Sequence, residues 1–256
     1  MKKLGFNMLR KHIKVEPALF YYYCDLYGMI VFQDFVNSGK YNFILDTALP
    51  TAFLKSGVTH YASKKRRTLF ESTAKEIIDL LHNHPSVCYY TIFNEGWGQY
   101  DADKVFDKMS GLDKSRIWDT TSGWFKCRKS DVQSDHTYFK PIKVKSNYKR
   151  PVVLSEFGGY SYKIPENSFN LSDTYGYRFN NEKEAYESDL KNLYLNEIVP
   201  AVKDGLNATV FTQLSDVEDE TNGLVTYDRQ VVKVSYEIMK EISDGVFYAF
   251  NNLFKD

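Results

Sequence analysis

Two glutamates stand at the ends of apolar, β-prone runs, and glycine follows each within two positions. The first is Glu95 in "YYTIFNEGWG", and the second is Glu156 in "VVLSEFGG". Two carboxyl groups that face each other across a cleft can hydrolyse a glycosidic bond. One protonates the leaving oxygen, while the other, ionised, attacks or supports the oxocarbenium-like centre. This chemistry requires different surroundings for the two acids, so that one pKa lies high and the other low.

Other polar and aromatic residues with suitable chemistry lie at or after predicted strand ends. Asn94 can hydrogen-bond a sugar hydroxyl, and the rings of Trp97 and Trp124 can cover the apolar face of a pyranose. The remaining candidates for substrate contact are Arg10, His12, Asp34, His136, Tyr138 and Gln213. The set predicts a site for a carbohydrate rather than for a purely apolar ligand.

The roles of several of these candidates follow from their chemistry. The positive charge of Arg10 is suited to keeping Glu156 ionised, and His136 and Tyr138 are suited to positioning a nucleophilic carboxylate. Asp34 is equally suited to capping a loop and to binding a hydroxyl, and this alternative stays open. His12 and His136 are the candidate metal ligands, but no third ligand stands at a useful spacing. The sequence therefore predicts no metal, and no cofactor is expected.

The elements that must position these side chains alternate along the chain. Short β-branched or apolar runs predict strands at Phe6–Arg10, Met29–Asp34, Val87–Asn94, Arg116–Thr120, Gln133–His136, Val152–Glu156 and Ala208–Gln213. Helical periodicity predicts helices at Pro17–Tyr27, Thr68–Asn83, Ala102–Met109, Glu182–Lys203 and Val231–Leu253. This order is typical of βα units around a parallel sheet. The carboxyl ends of such strands converge on one face of a (β/α)₈ barrel, and seven strands are one short of closure.

Two longer segments lack clear periodicity. They are Val36–Lys65 and Tyr160–Asn181, and both are too long for simple connections, so we expect loops built over a site. Pro200, inside the fourth predicted helix, predicts a kink or a break.

Composition excludes several classes of function. The chain has 256 residues with 33 basic and 33 acidic side chains, so its formal net charge is zero. A chain without a one-signed field is not expected to bind nucleic acid or an anionic membrane surface. Three widely spaced cysteines suggest neither a disulfide framework nor a zinc site. No apolar stretch follows the basic N-terminus, so a cytoplasmic location is expected.

Seven stretches of the chain, in order, resemble the catalytic barrel of glycoside hydrolase family 2, the family of β-galactosidases, β-glucuronidases and β-mannosidases. The likeness runs from Gly5 to about Lys233. The stretches are "GFNMLRKHIKVEP", "YYYCDLYGMIVFQDF", "NHPSVCYYTIFNEGWGQ", "RIWDTTSGWF", "SDHTYF", "VVLSEFGGYS" and "FTQLSDVEDETNGLVTYDR". So many ordered motifs are far more specific than a single Asn-Glu pair.

The resemblance implies roles for both glutamates and for the strands. It makes Glu95 the general acid/base and Glu156 the nucleophile of a retaining double displacement, with carboxyl groups about 5–5.5 Å apart. It also implies that the seven strands are the second to the eighth of an α/β (β/α)₈ TIM barrel that lacks its first strand. The family's two β-sandwich domains are not found before the barrel. We therefore expect residues 1–256 to be one catalytic domain and a fragment, whose open sheet edge would favour self-association.

The resemblance also bears on the substrate. No Asn-x-Lys, the feature that reads a glucuronate carboxylate, lies near "ETNGLVTYDR". The tryptophan often found at the end of the family's eighth strand is also not evident, and Thr212 and Gln213 stand there instead. These departures favour a glycoside of a terminal β-linked neutral sugar such as galactose. Two alternatives stay open: a silent carbohydrate-binding or structural remnant of such an enzyme, and a cellulase-like barrel, which "RKHIKVEP" and "DVEDETNGLVTYDR" disfavour.

Overall fold

The computed structural model describes residues 1–37, 39, 41, 42, 44, 62–144 and 149–253. They form two compact units. One unit comprises Asn7–Asp135, and the other comprises Met1–Phe6 together with His136–Asp256.

The unit of Asn7–Asp135 is built on a parallel sheet whose four strands follow the order of the chain. The strands are β1 (Met8–Lys11), β2 (Ile30–Asp34), β3 (Val87–Asn94) and β4 (Ile117–Ser122). The helices between them are α1 (Ala18–Tyr27), α2 (Lys64–Leu81) and α3 (Ala102–Ser110). Strands in this order bring the residues at their carboxyl ends to one edge of the sheet.

Local sequence explains these elements. Strand β3 is almost continuously apolar and buried, as expected of a parallel strand covered on both faces. Helix α2 is capped by the Ser63 hydroxyl, which accepts a hydrogen bond from the Arg66 backbone N–H at 3.3 Å. Its buried residues recur at helical spacing from Phe70 to Leu81. Helix α1 ends at Gly28, whose φ of 60° suits glycine.

The other unit contains a three-stranded sheet and a small second sheet. The larger sheet has the order β5 (Gln133–Thr137), β6 (Val152–Gly158) and β9 (Leu206–Thr212), and β5 begins at the end of the preceding unit. The smaller sheet pairs β7 (Tyr160–Tyr162) with β8 (Arg178–Asn180) in parallel. The helices are α4 (Lys183–Leu193), α5 (Val199–Lys203) and α6 (Tyr236–Asn251); short 3-10 turns occupy Lys2–Leu4 and Pro165–Asn167.

The core of this unit lies between β6, β9 and the helices. Phe157 contacts the rings of Tyr194 and Phe211 edge-on, with centroids 5.4 and 5.7 Å apart. Tyr186 and Leu190 of α4 are also fully buried in this cluster. Packing of this kind fixes the carboxyl ends of β6 and β9 relative to each other.

The seven predicted strands are all present, with ends that differ by a few residues. The segment Tyr160–Asn181, predicted as loop, contains β7, β8 and a 3-10 turn, because strands of three residues are too short to show a period. The last helix begins at Tyr236 rather than at Val231, since Val232 pairs with Val225 in a bridge. Most of the predicted loop Val36–Lys65 lies outside the described residues.

Near Pro200, where a kink or a break was predicted, the hydrogen-bonding pattern of the helix changes without an interruption of the helical backbone. A π-helical turn, Tyr194–Ile198, separates α4 from α5, and Pro200 lies in the first turn of α5. Because proline has no N–H, the preceding turn loses a regular helical hydrogen bond there.

Among the described helices, none is long and apolar enough to cross a membrane.

Candidate functional site

The carboxyl ends of β1, β2 and β3 bring together Arg10, Asp34 and Asn94. The Arg10 guanidinium donates to both oxygens of Asp34, from Nε at 3.0 Å and from Nη2 at 2.8 Å. Its Nη2 also donates to Oδ1 of Asn94 at 2.9 Å. A planar, bidentate ion pair of this kind is geometrically specific, so the Asn94 amide group is held in one orientation.

Asp34 is buried, and the side chains of Arg10 and His12 lie beside its carboxyl group. Burial alone would raise its pKa, but Arg10 and His12 outweigh burial and lower the pKa to about 2. His12 Nδ1 lies 3.3 Å from Oδ2 of Asp34, and the His12 side chain is more than half exposed. Asp34 therefore anchors Arg10, and its prediction as a substrate contact stays a prediction.

A second acid, Asp119, lies buried on β4 of the same sheet. Burial raises its pKa to about 6, although Ser134, Arg10 and Tyr89 oppose the rise. The sequence analysis did not single out Asp119. The available signal was a charged residue in the middle of an otherwise buried strand.

Glu95 follows β3 directly in a tight turn. Its φ is 49°, in the left-handed region that non-glycine residues rarely adopt, and its backbone N–H donates to the Ser122 carbonyl at 2.9 Å. The Trp97 N–H donates to the Asn94 carbonyl at 2.9 Å and closes the turn. Such conformations persist where the surroundings fix them and are concentrated at functional sites.

The two predicted aromatic platforms lie in the same unit. Trp97 donates its ring N–H to the Gly39 carbonyl at 2.9 Å, and its ring lies 5.4 Å from that of Tyr41. The Trp124 side chain follows β4 and is 42% exposed. Both rings therefore offer surface on which a sugar face could pack.

Glu156 lies near the end of β6, and two of the three side chains predicted to act on it, His136 and Tyr138, lie beside it. The Tyr138 hydroxyl donates to Glu156 Oε2 at 2.7 Å, and Nδ1 of the buried His136 lies 3.4 Å from the same oxygen. The Tyr138 hydroxyl also lies 3.0 Å from Oγ1 of Thr212, at the end of β9. Burial and the Glu156 carboxyl raise the pKa of Tyr138 well above its usual value, so Tyr138 stays a proton donor.

Gln213 directly follows β9, and two side chains hold it. Its amide nitrogen donates to Glu220 Oε2 at 2.6 Å and to Asn222 Oδ1 at 2.7 Å. Glu220 is fixed by a backbone pair with Val217, at 2.9 and 3.0 Å. Among the described residues, Glu220 has no cationic partner. Gln213 was predicted to contact substrate, whereas Glu220 and Asn222 were not.

A buried ion pair supports the segment that follows β9 and contains Gln213 and Glu220. Lys233 Nζ donates to Asp216 Oδ1 at 2.6 Å and to the Thr221 carbonyl at 2.9 Å. The Gly223 N–H donates to the same oxygen of Asp216 at 2.8 Å. Burial raises the pKa of Asp216 and lowers that of Lys233, in each case against the attraction of the partner.

The candidate residues fall in both units. The first unit contains Arg10, His12, Asp34, Asn94, Glu95, Trp97 and Trp124. The second unit contains His136, Tyr138, Glu156 and Gln213, with the supporting residues Thr212 and Glu220. Each unit carries one of the two proposed catalytic glutamates at or after a strand end, with polar neighbours around it. This donor set can bind hydroxyl groups and move a proton.

The sequence matches the profile of the glycosyl hydrolases family 2, TIM barrel domain, over residues 1–244. The chain belongs to this family. The family 2 resemblance and the α/β barrel fold class predicted from the sequence are therefore confirmed, and seven strands in the two larger sheets of the described residues agree with seven βα units.

Solved family 2 structures share this fold at low identity. A β-galacturonidase from Eisenbergiella tayi bound to galacturonate is 18% identical, with a TM-score of 0.63 over 95% of this chain and 45% of that chain. A β-D-glucuronidase of Dictyoglomus thermophilum is 16% identical, with a TM-score of 0.64 over 94% and 45%. An FMN-binding β-glucuronidase from Facaelibacterium prausnitzii L2-6 is 20% identical, with a TM-score of 0.64 over 94% and 39%.

The chain spans less than half the length of these solved structures. No curated protein matches its sequence. The roles of Glu95 and Glu156, the other substrate contacts and the single catalytic domain over residues 1–256 stay predictions.

Proposed function

We propose that this chain is a retaining β-glycosidase of family 2, with Glu156 as nucleophile and Glu95 as general acid/base. The observation that carries the proposal is the surroundings of Glu156. A strand end fixes its backbone, and the Tyr138 hydroxyl orients one carboxyl oxygen at 2.7 Å. A hydrogen bond to the ionised form favours the carboxylate, which a nucleophile must be.

The turn at Glu95 supports its assignment as the acid. The buried strand β3 and the Ser122 carbonyl hold its backbone, so the carboxyl group starts from a fixed point. A general acid must reach the glycosidic oxygen within hydrogen-bond distance, and small displacements cost rate. Asn94, held by Arg10, is the proposed partner of a sugar hydroxyl beside it.

The reaction would proceed in two displacements. Glu156 attacks the anomeric carbon while the bond to the leaving oxygen breaks and Glu95 gives that oxygen its proton. Glu95, now ionised, then takes a proton from water, and the resulting hydroxide attacks the anomeric carbon and releases Glu156. The bond to Glu156 forms on the face of the sugar opposite the leaving group, and the bond to water then forms on the original face. The β configuration is therefore retained.

The acidic side chain at Glu220 supports a neutral sugar rather than a uronic acid. Glu220 contacts Gln213, which adjoins the Thr212–Tyr138–Glu156 chain of contacts. A carboxylate at this place attracts sugar hydroxyl groups and repels a sugar carboxylate. The structural neighbours named above are a β-galacturonidase and β-glucuronidases, so a β-galactosidase-like preference would set this chain apart from them.

The test is hydrolysis of nitrophenyl β-glycosides, with galactoside, glucoside, mannoside, glucuronide and galacturonide compared on one protein. Glu156→Ala and Glu95→Ala are the test variants, and Glu237→Gln, in an exposed position of α6, is the matched control. Turnover of a neutral glycoside that survives in the control and disappears in Glu156→Ala is expected.

Azide separates the two carboxyl roles. In Glu156→Ala, azide should enter the vacated place and yield the α-glycosyl azide, whereas in Glu95→Ala it should intercept the glycosyl-enzyme and yield the β-glycosyl azide. The reverse pattern would exchange the two roles. Silence of the wild-type chain on every glycoside would reject the proposal in favour of a remnant without turnover.

A further inference from the structure

Tyr177 stacks on the tyrosine that contacts Glu156. The ring centroids of Tyr138 and Tyr177 are 3.8 Å apart, and their planes differ by 8°. Phe139 meets the Tyr177 ring edge-on, with centroids 5.3 Å apart. Contact between two aromatic faces restricts the movement of both rings. Tyr177 comes from the segment Tyr160–Asn181, and nothing in the sequence analysis assigned it a role.

The backbone around Tyr177 fixes the position of its ring. Its N–H donates to the Gly159 carbonyl at 2.9 Å, and the next residue begins β8, which pairs with β7. Gly159 has a φ of 66°, and a Cβ atom there would lie 2.3 Å from Cδ2 of Tyr177. The ring therefore packs directly on the backbone of the strand end that carries Glu156, three residues earlier.

Tyr138 needs a support of this kind. It lies one residue beyond the end of β5, and its hydroxyl is at the far end of a long side chain. A rotation of about 10° at the Cα–Cβ bond moves such a hydroxyl by roughly 1 Å, a displacement that can cost about 100-fold in rate. The stacked ring blocks this rotation on one side.

We propose that Tyr177 is a positioning residue of the active site, which holds the Tyr138 hydroxyl against Glu156 through ring stacking. This inference rests on the proposed function, because it assigns a role in orienting the nucleophile. In this role, Tyr177 acts on Glu156 through its ring contact with Tyr138.

Two substitutions at one position separate stacking from other contributions. Tyr177→Phe keeps the ring and should retain kcat within about twofold. Tyr177→Leu removes the ring and should lower kcat about tenfold with little change in KM. Because a displaced Tyr138 no longer favours the ionised Glu156, the acidic limb of the pH–rate profile should also move to higher pH in Tyr177→Leu.

A double-mutant cycle measures the coupling between Tyr138 and Tyr177. Once Tyr138→Phe has removed the hydroxyl, Tyr177→Leu should cost little more, since both act on one contact. Additive losses in the cycle would overturn the inference. Near-ultraviolet circular dichroism and the midpoint of thermal unfolding would establish that each variant is folded. Gly159→Ala adds a Cβ atom that displaces the Tyr177 ring, so it should reproduce the kinetic pattern of Tyr177→Leu.

The outcomes distinguish this inference from the proposed function. An active wild-type chain whose kcat and pH profile do not respond to Tyr177→Leu overturns the inference alone. A wild-type chain that is silent on every glycoside overturns both. A loss of kcat and a shifted acidic limb in the folded Leu variant, with Tyr177→Phe unaffected, supports the inference.

Discussion

The Tyr138 hydroxyl joins the ends of two strands, because it lies 2.7 Å from Oε2 of Glu156 on β6 and 3.0 Å from Oγ1 of Thr212 on β9. The hydroxyl has one proton, which the carboxylate attracts more strongly than a neutral hydroxyl does. Thr212 therefore donates to Tyr138, and Tyr138 donates to Glu156. This relay orients Oε2 of Glu156, the carboxyl group that we propose as the nucleophile.

Removal of the Tyr138 hydroxyl should slow the reaction without unfolding the chain. Tyr138→Phe keeps the stack on Tyr177 but leaves Glu156 without its donor, so kcat should fall about 10- to 100-fold. The acidic limb of the pH–rate profile should move to higher pH. Thr212→Val is the milder control, since it removes only the outer donor of the relay; a larger loss in Thr212→Val than in Tyr138→Phe would contradict this order.

The planar geometry of the Arg10 guanidinium, and not only its positive charge, should be needed for activity. Arg10→Lys keeps a cation near Asp34 but cannot make three directed contacts to Asp34 and Asn94, so kcat/KM should fall about tenfold or more. Steady-state kinetics on the best neutral glycoside measures this. Arg128→Lys, at an exposed position of the same unit, is the matched control; equal losses in both variants would show that Arg10 has no special role.

The buried Asp119 should reduce stability at neutral pH. Its pKa is about 6 in the folded chain and lower when unfolded, so the folded state binds more protons between about pH 4 and 6. Stability from this group is therefore present at low pH and is lost as the pH rises through 6. Asp119→Asn should raise the free energy of unfolding by roughly 2 kcal/mol at pH 7 and by much less at pH 4.

Denaturant unfolding of the two proteins at both pH values measures this difference. A gain that is equal at pH 4 and pH 7 would attribute it to packing instead of ionisation. Glu76→Gln, at an exposed position of helix α2, provides the control for a change of charge alone.

The Asp216–Lys233 pair should matter most when only one partner is removed. Lys233→Met leaves the Asp216 carboxyl buried without its cation and should cost about 3–5 kcal/mol in the free energy of unfolding. Asp216→Asn combined with Lys233→Met removes both charges and should recover a large part of that loss. Chemical unfolding gives both values, and a double variant less stable than Lys233→Met would refute this explanation.

The charge of Glu220 should influence sugar preference. Glu220→Gln keeps a side chain that can hold Gln213 but removes the repulsion of a sugar carboxylate. The ratio of kcat/KM for the nitrophenyl β-glucuronide to that for the neutral glycoside should rise about fivefold or more. Glu218→Gln, in the turn between Val217 and Glu220, is the control. An unchanged ratio in Glu220→Gln would remove Glu220 from the determinants of specificity.

Much of the architecture could be predicted from local pattern. Strand β3 and helix α2 have long, strongly periodic or apolar sequences, so their type and position followed from the residues alone. The neighbours of Glu156 could also be chosen in advance, because strand ends of a parallel sheet meet at one edge. His136 and Tyr138 were found in this way.

Other parts depend on contacts that no local pattern encodes. The strands β7 and β8 have three residues each, and only their pairing defines them. Tyr177 and Glu220 are distant in sequence from the residues they hold, Tyr138 and Gln213. The partner of Asp34 in the structure, Arg10, is likewise 24 residues away in sequence. Such side-chain pairings require the fold before they can be assigned.

The contact between Gly159 and Tyr177 also bears on how such a site can evolve. Any amino-acid substitution at Gly159 adds a Cβ atom to a backbone at φ 66°, directly against the Tyr177 ring. We therefore expect single substitutions at Gly159, directly after the end of β6, to be poorly tolerated. At the end of β9, Gln213 and Glu220 meet through side chains alone, so new sugar preferences should arise there first in a library of single substitutions.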